Sequence, residues 1–207
     1  GGGLIGVLII GFQRAAFSSE AGLGSSAIAH SAAKSAEPVR EGLVASLEPF
    51  IDTIVICFLS GMTVLITGAY AAPETVGIGG SEVTLLAFEK TGPLAGWFPT
   101  VLSISIILFA FSTMISWAYY GEQAWGYLFG SGSVLVFRLA FVLCVLLGTV
   151  VTASNVILFA DLMLLSMAVP NIIGGIILAP KVKAKLKQYW QKYRAGETGP
   201  PADQYEI

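Results

Sequence analysis

Charge is what this sequence is shortest of. Only 12% of its 207 residues are Asp, Glu, Lys or Arg, roughly half the ~25% of an ordinary soluble domain. Histidine occurs once and cysteine twice. Cys57 and Cys144 both sit inside apolar runs and read as small apolar residues. With a single histidine beside them, no metal-ligand spacing is present. No paired acids and no histidine–acid set stand inside the apolar runs, so no base–nucleophile constellation is visible. An enzyme is not expected.

The missing charge is concentrated in particular stretches. None lies between Thr53 and Pro73, none between Thr91 and Gly121, and none between Leu139 and Ala160. After Asp161 none appears before Lys181. A helix that crosses a bilayer needs about 20 mostly apolar residues at 1.5 Å each. Four such runs, with 55% hydrophobic residues and a mean hydropathy of +0.79, indicate an all-α polytopic membrane protein. The opening Gly1-Gly2-Gly3 leads without Met or signal peptide into the apolar stretch Leu4 to Phe12. That is the look of a chain cut inside a helix, with an N-terminal portion expected upstream.

Spans are expected at about 1–17, 50–71, 97–122, 134–152 and 156–179. The polar segment 18–49 is re-entrant or cytoplasmic, with Pro38 and Pro49 punctuating a loop and one short helix. Loop 72–96 is rich in Gly and closes at Gly92-Pro93. The last span is interrupted by Pro170 and Gly174-Gly175. Basic residues mark the cytoplasmic side of membrane proteins. Four full spans after the first place 14–52, 121–138 and the tail together, with Arg14, Lys34, Arg40, Arg138 and the tail cations on one side. Loop 72–96, with Glu74, Glu82 and Glu89 against Lys90, falls on the other. The C-terminus is then cytoplasmic. In the tail, 181–207, Val182, Leu186, Trp190 and Tyr193 recur at helical spacing among lysines. This is either a basic amphipathic helix for the headgroup layer or an anchoring charge cluster. Residues 196–207 read as a disordered end.

Several residues could carry chemistry. Phe17-Ser18-Ser19-Glu20-Ala21-Gly22-Leu23-Gly24-Ser25-Ser26 follows an apolar helix directly. Helix breaks at membrane depth are tolerated where backbone lines a cavity, and their free N–H and C=O groups bind carboxylates and sodium. An ordinary helix end entering a loop fits the bare residues too. Ser112, Thr113, Ser116 and Trp117 stand mid-span, with Ser112 and Ser116, and Thr113 and Trp117, four apart on shared faces. Their hydroxyls are hard ligands for a small cation, or they bond their own helix carbonyls. Asp161 is the one acid well inside an apolar run. It is either a coupling residue or a structural partner for a hydroxyl near Asn155. His30 lies in the polar linker, where a proton relay is the less expected role.

The strings FQRAAFSSEAGLGSSAIAHSAA, PVREGLVASLEPFIDT and FAFSTMISWAYYGEQAW resemble the alanine or glycine:cation (sodium:alanine) symporter family, over almost the whole chain to about residue 180. The resemblance implies a LeuT-type fold of two inverted five-helix repeats. This chain would hold the second repeat, truncated at its N-terminus, with the N-terminal half of the same protein missing. It implies sodium-coupled symport of a small neutral amino acid, alanine or glycine, by alternating access in the bacterial inner membrane. Beyond the bilayer, its partners are then that amino acid and sodium as coupling ion, with no cofactor and no nucleic acid. Phe17, Ser18, Ser19, Thr113 and Trp117 are the implied substrate contacts, and Ser112 and Thr113 the implied sodium ligands. Trp117 would limit substrate size. The family typically carries FSNEAG where this chain has FSSEAG, so Ser19 stands in the Asn place with a shorter side chain and fewer donors. The rival reading is a structural or regulatory membrane subunit that transports nothing.

Overall fold

The computed structural model describes residues 3–35, 37–77, 79–92 and 96–197. Every regular element among them is helical. They are α1 (Leu4–Ser19), α2 (Ser25–Ser31), α3 (Pro38–Ala45), α4 (Leu47–Pro49), α5 (Cys57–Ile66), α6 (Gly80–Glu89), α7 (Phe98–Phe129), α8 (Val134–Gly148) and α9 (Ala153–Arg194), with a π-helical stretch at Phe50–Ile56 and single 3₁₀ turns between. Four helical segments are long and apolar enough to cross a membrane: Pro38–Ile66, Phe98–Phe129, Ser131–Gly148 and Asn155–Arg194. A shorter apolar helix covers Leu4–Ala15.

The apolar side chains of these helices face outward. Ile107, Leu108 and Phe109 on α7 are 68%, 62% and 70% exposed. The buried apolar residues are few and small, Leu23, Ala69, Ala72 and Ala87. Water would not tolerate such a surface, whereas hydrocarbon covers it at no cost. The helical backbone follows from the same solvent: every N–H and C=O must be satisfied inside its own segment. This is the structure of a polytopic membrane protein.

The chain divides into two compact units. The first comprises Gly1–Pro49 and Cys144–Ile207. Within it α1 and α3 both pack on α9. The second comprises Phe50–Leu143. Within it the π-helical stretch leads into α5, α6 packs on α5 and α7, and the turn Ser131–Ser133 folds back on α7. Arg138 grips Glu122 through two bonds of 2.6 and 2.9 Å, and Trp125 Nε1 donates to Ser133 Oγ at 2.9 Å. The Phe137 ring occupies the space a side chain at Gly121 would need. Arg138, counted among the cytoplasmic basic residues, is neutralised by Glu122.

Several element boundaries differ from the expected ones. The segment from Pro38 to Pro49, expected as a loop with one short helix, is helical almost throughout, because Pro38 stands at the start of its helix, where a missing N–H costs nothing. Loop 72–96 contains the ten-residue α6, opened by the Glu82 carboxylate accepting from Gly79 N–H at 2.8 Å. α9 is not interrupted: its 42 residues run through Pro170 and Pro180. Each proline removes one helical bond; at Pro170, inside the apolar run, the freed chain has no better partner. At 1.5 Å per residue α9 is about 63 Å long, twice the ~30 Å of bilayer hydrocarbon. Its last turns carry Trp190 and Tyr193 stacked at 5.4 Å, with Arg194 over the Trp190 ring. Of the expected disordered end, 196–207, only residues 196 and 197 lie among the described residues.

Candidate functional site

The chain leaves α1 at Ser19 through a tight reversal. Glu20 has φ 53°, Gly22 82° and Gly24 101°. Alternating left-handed residues cannot continue a right-handed helix, and glycine at two of the three positions makes the turn inexpensive. Leu23 N–H donates to Glu20 O at 3.1 Å, closing it. The turn is held from outside by Asn171 of α9, whose amide nitrogen donates to Gly22 O at 2.8 Å. A Cβ at Gly24 would lie 3.3 Å from Asn171 Oδ1, so the approach of the two elements depends on glycine there.

The hydroxyls around the break are mostly withdrawn from solvent. Ser19 is 9% exposed; its Oγ donates to Ala15 O at 3.0 Å and accepts from Ala21 N–H at 3.4 Å. Ser25, the first residue of α2, is fully buried, and its Oγ meets no hydrogen-bond partner among the described residues. A buried hydroxyl left without a partner costs about 1–3 kcal/mol. Ser18 is exposed at the end of α1. The backbone of Phe17 belongs to α1; its side chain lies outside the described part of the structure.

The second set of candidates lies on α7, in the other unit. Ser112 Oγ donates to Phe109 O at 2.9 Å, and Ser116 Oγ donates to Ser112 O at 3.0 Å. Both hydroxyls thus take the local bonds that serines in membrane helices often take. Such a hydroxyl keeps its lone pairs outward, available to a cation. Thr113 is exposed and Trp117 half-buried, the indole edge-on to Tyr120 at 5.8 Å. Phe17, Ser18 and Ser19 therefore lie in one compact unit and Ser112, Thr113 and Trp117 in the other.

Asp161 has a different partner from the expected one. It is 6% exposed and accepts from Gln13 Nε2 at 3.0 Å and from the Arg14 guanidinium. The pair ties α1 to α9 immediately before the break. Expected as a possible partner for hydroxyls near Asn155, Asp161 instead neutralises a cation on another helix. A buried carboxylate requires such a partner. Gln13 and Asn171 were not singled out from the sequence. The available signal was their chemistry, an amide in or beside an apolar run, which in a membrane helix finds a polar partner on a neighbour.

His30 is gripped by two acids. Its Nδ1 is 2.7 Å from Glu41 Oε1, and its Nε2 is 3.6 Å from Glu48 Oε2. The Glu41 hydrogen bond raises the imidazole pKa above 6.5; partial burial opposes this and Glu48 adds to it. The histidine fastens α2 to the α3–α4 segment. Among the described residues no group of His, Cys, Asp and Glu could hold a metal ion.

The profile of the sodium:alanine symporter family matches residues 1–203. The chain is 38% identical over 189 residues to the sodium/alanine symporter AgcS of Methanococcus maripaludis, covering 91% of this chain and 41% of that protein. It is 32% identical over 198 residues to the probable sodium/glutamine symporter GlnT of Bacillus subtilis, covering 95% and 40%. To the amino-acid carrier protein AlsT of the same organism it is 32% identical over 197 residues, covering 95% and 41%. The chain thus spans about two-fifths of the length of these curated relatives. No solved structure matches it. The family and these relatives are transporters, not enzymes. A match over all but the last few residues, on a chain whose apolar helices enclose a glycine-built break, shows that this protein belongs to the sodium:alanine symporter family.

Proposed function

We propose that this chain works in sodium-coupled symport of a small neutral amino acid across the plasma membrane by alternating access, with its basic C-terminus cytoplasmic. The observation that carries the reading is the break at Ser19–Gly24. An apolar helix stops there, turns on left-handed residues, and leaves a buried Ser25 hydroxyl without a partner among the described residues. Interrupted membrane helices of this kind present free backbone groups to carboxylates and cations. The relatives' names, sodium with alanine in one and sodium with glutamine in another, support the coupling ion and the substrate class. Alanine or glycine fits the small side-chain space that an indole at Trp117 would leave.

In this reading Phe17, Ser18 and Ser19 supply substrate contacts from the break, and Thr113 and Trp117 from α7. Ser112 and Thr113 supply oxygens to sodium. The coupling ion is cargo, and no other cofactor is called for. The helices form the second repeat of a LeuT-type fold, with α1 and α2 as its discontinuous first helix. The test is uptake of radiolabelled alanine by proteoliposomes holding the product of the complete gene, with sodium outside or choline in its place. Uptake that rises with the sodium gradient supports symport; uptake indifferent to sodium overturns it. Ser19→Asn in the same assay reads the substrate preference through competition by glycine, alanine and serine. An unchanged ranking removes Ser19 from the list of contacts.

A further inference from the structure

In the first unit, α3 and the C-terminal half of α9 line an open cavity of about 780 Å³. Its walls are of two kinds. Leu43 on α3 and Leu178, Val182 and Leu186 on α9 line it with aliphatic carbon, and Lys181 and Lys185 stand with them. The apolar side chains are far from covered: Leu178 is 52% exposed, Val182 60% and Leu186 41%. Lys192 closes one end by pairing with Glu37 at 2.9 Å. Lys181 and Lys185 have no carboxylate partner among the described residues. One acid against three lysines leaves the cavity with an excess of two positive charges.

The position along α9 gives this chemistry its meaning. The charge-free part of the helix ends at Pro180, and the first lysine follows at once. The cavity straddles that change: Leu178 lines it from the charge-free run, and beyond Pro180 Val182 and Leu186 alternate with Lys181 and Lys185. An occupant must therefore be amphiphilic, with a chain that leaves water and a head that is negative. We propose that this cavity is a binding site for one anionic phospholipid of the inner leaflet, its phosphate held by Lys181 and Lys185 and an acyl chain lying along Leu43, Leu178 and Val182. Basic pockets at the cytoplasmic ends of membrane helices take such headgroups. Free phosphate would leave the aliphatic wall uncovered, and a zwitterionic lipid would offset neither of the two excess charges, whereas a singly anionic lipid offsets one. The site rests on the placement of α9 in the membrane and not on transport.

The test is lipid retention by the product of the complete gene, purified in mild detergent and loaded with equimolar phosphatidylglycerol and phosphatidylcholine. Native mass spectrometry then counts the bound lipids. The unmodified protein is expected to keep one phosphatidylglycerol in preference to phosphatidylcholine. Lys181→Gln with Lys185→Gln should lower that preference about tenfold or more, since each cation near an anionic lipid contributes appreciably. Lys183→Gln with Lys187→Gln removes the same charge from positions that do not line the cavity and should leave the preference unchanged. Gly42→Phe fills the cavity without altering charge, because a Cβ at Gly42 meets only open space; it should abolish retention. Equal loss in both lysine pairs, or retention unaffected by Gly42→Phe, overturns the proposal, as does displacement of the lipid by inorganic phosphate alone. Retention is read without transport, so sodium-independent uptake would not touch this result.

Discussion

The break at Ser19–Gly24 and the hydroxyl cluster at Ser112–Trp117 contain similar residues in opposite circumstances. At the break the backbone itself is reshaped, the hydroxyls of Ser19 and Ser25 are buried, and a side chain from a distant helix, Asn171, holds the turn. On α7 the helix passes through unbroken, and the serines bond carbonyls of their own helix. The first region is built by tertiary contact. The second is a row of polar atoms on one regular helix.

The strongest way to sharpen this contrast is to release the anchor beside the break. Asp161→Ala leaves the Arg14 guanidinium and the Gln13 amide without their acceptor. The expected loss is about 3 kcal/mol, in the range for breaking one side of a buried ion pair and below its upper end because Arg14 is half exposed. Thermal unfolding in detergent measures it. A loss no larger than that of Ser116→Ala on α7 would mean that the break is not held by the pair.

A smaller effect separates glycines by conformation. Gly24→Ala forces a Cβ into the left-handed region and against Asn171, at a cost of about 1–2 kcal/mol. Gly174→Ala in α9, where a Cβ has open space, should instead stabilise by up to about 1 kcal/mol. The same unfolding assay reads both, and equal signs would contradict the geometry at the turn.

On α7 the expected change is functional rather than structural. Ser112→Ala should raise the sodium concentration for half-maximal uptake roughly tenfold, the size of one polar contact to a charge. Stability should stay within about 0.5 kcal/mol. A variant that loses stability but keeps its sodium dependence would return Ser112 to a structural role.

The smallest effect concerns His30. Its pKa is raised, with the Glu41 bond the largest cause, so the protonated state is favoured in the folded protein. The contribution is complete below about pH 6.5 and is lost as pH rises through the raised folded value. Protection of the α2 amides, measured relative to their intrinsic exchange rates, should therefore fall as pH rises above about 6.5. His30→Gln should remove that pH dependence of protection, and a persisting profile would assign it to another group.

Much of this was legible in the residues. Charge-free runs located the apolar helices because hydrocarbon excludes charge over a fixed length. The glycines and serines after Phe17, poor helix formers, marked where the apolar helix stops but left a break and an ordinary helix end both open. The rest depended on distance. That Asp161 meets Arg14, 147 positions away, leaves no periodic trace, and neither does the reach of Asn171 to Gly22. Pro170 misled for a related reason: its cost is judged against water, and inside the apolar run the helix has no aqueous alternative.

The sequence by itself determined the solvent of this protein, its helical class and the family motif, since each depends on composition or on residues adjacent in the chain. Only the tertiary structure decided which polar groups are satisfied: Asp161 by Arg14, His30 by Glu41, and Ser25 by none of the described residues. Hydrogen bonds and ion pairs between helices require atoms within about 3 Å, and chain order does not encode that proximity. The break that stood out as a string of small residues is thus a held turn, fastened on one side by Asn171 and on the other by the Arg14–Asp161 pair.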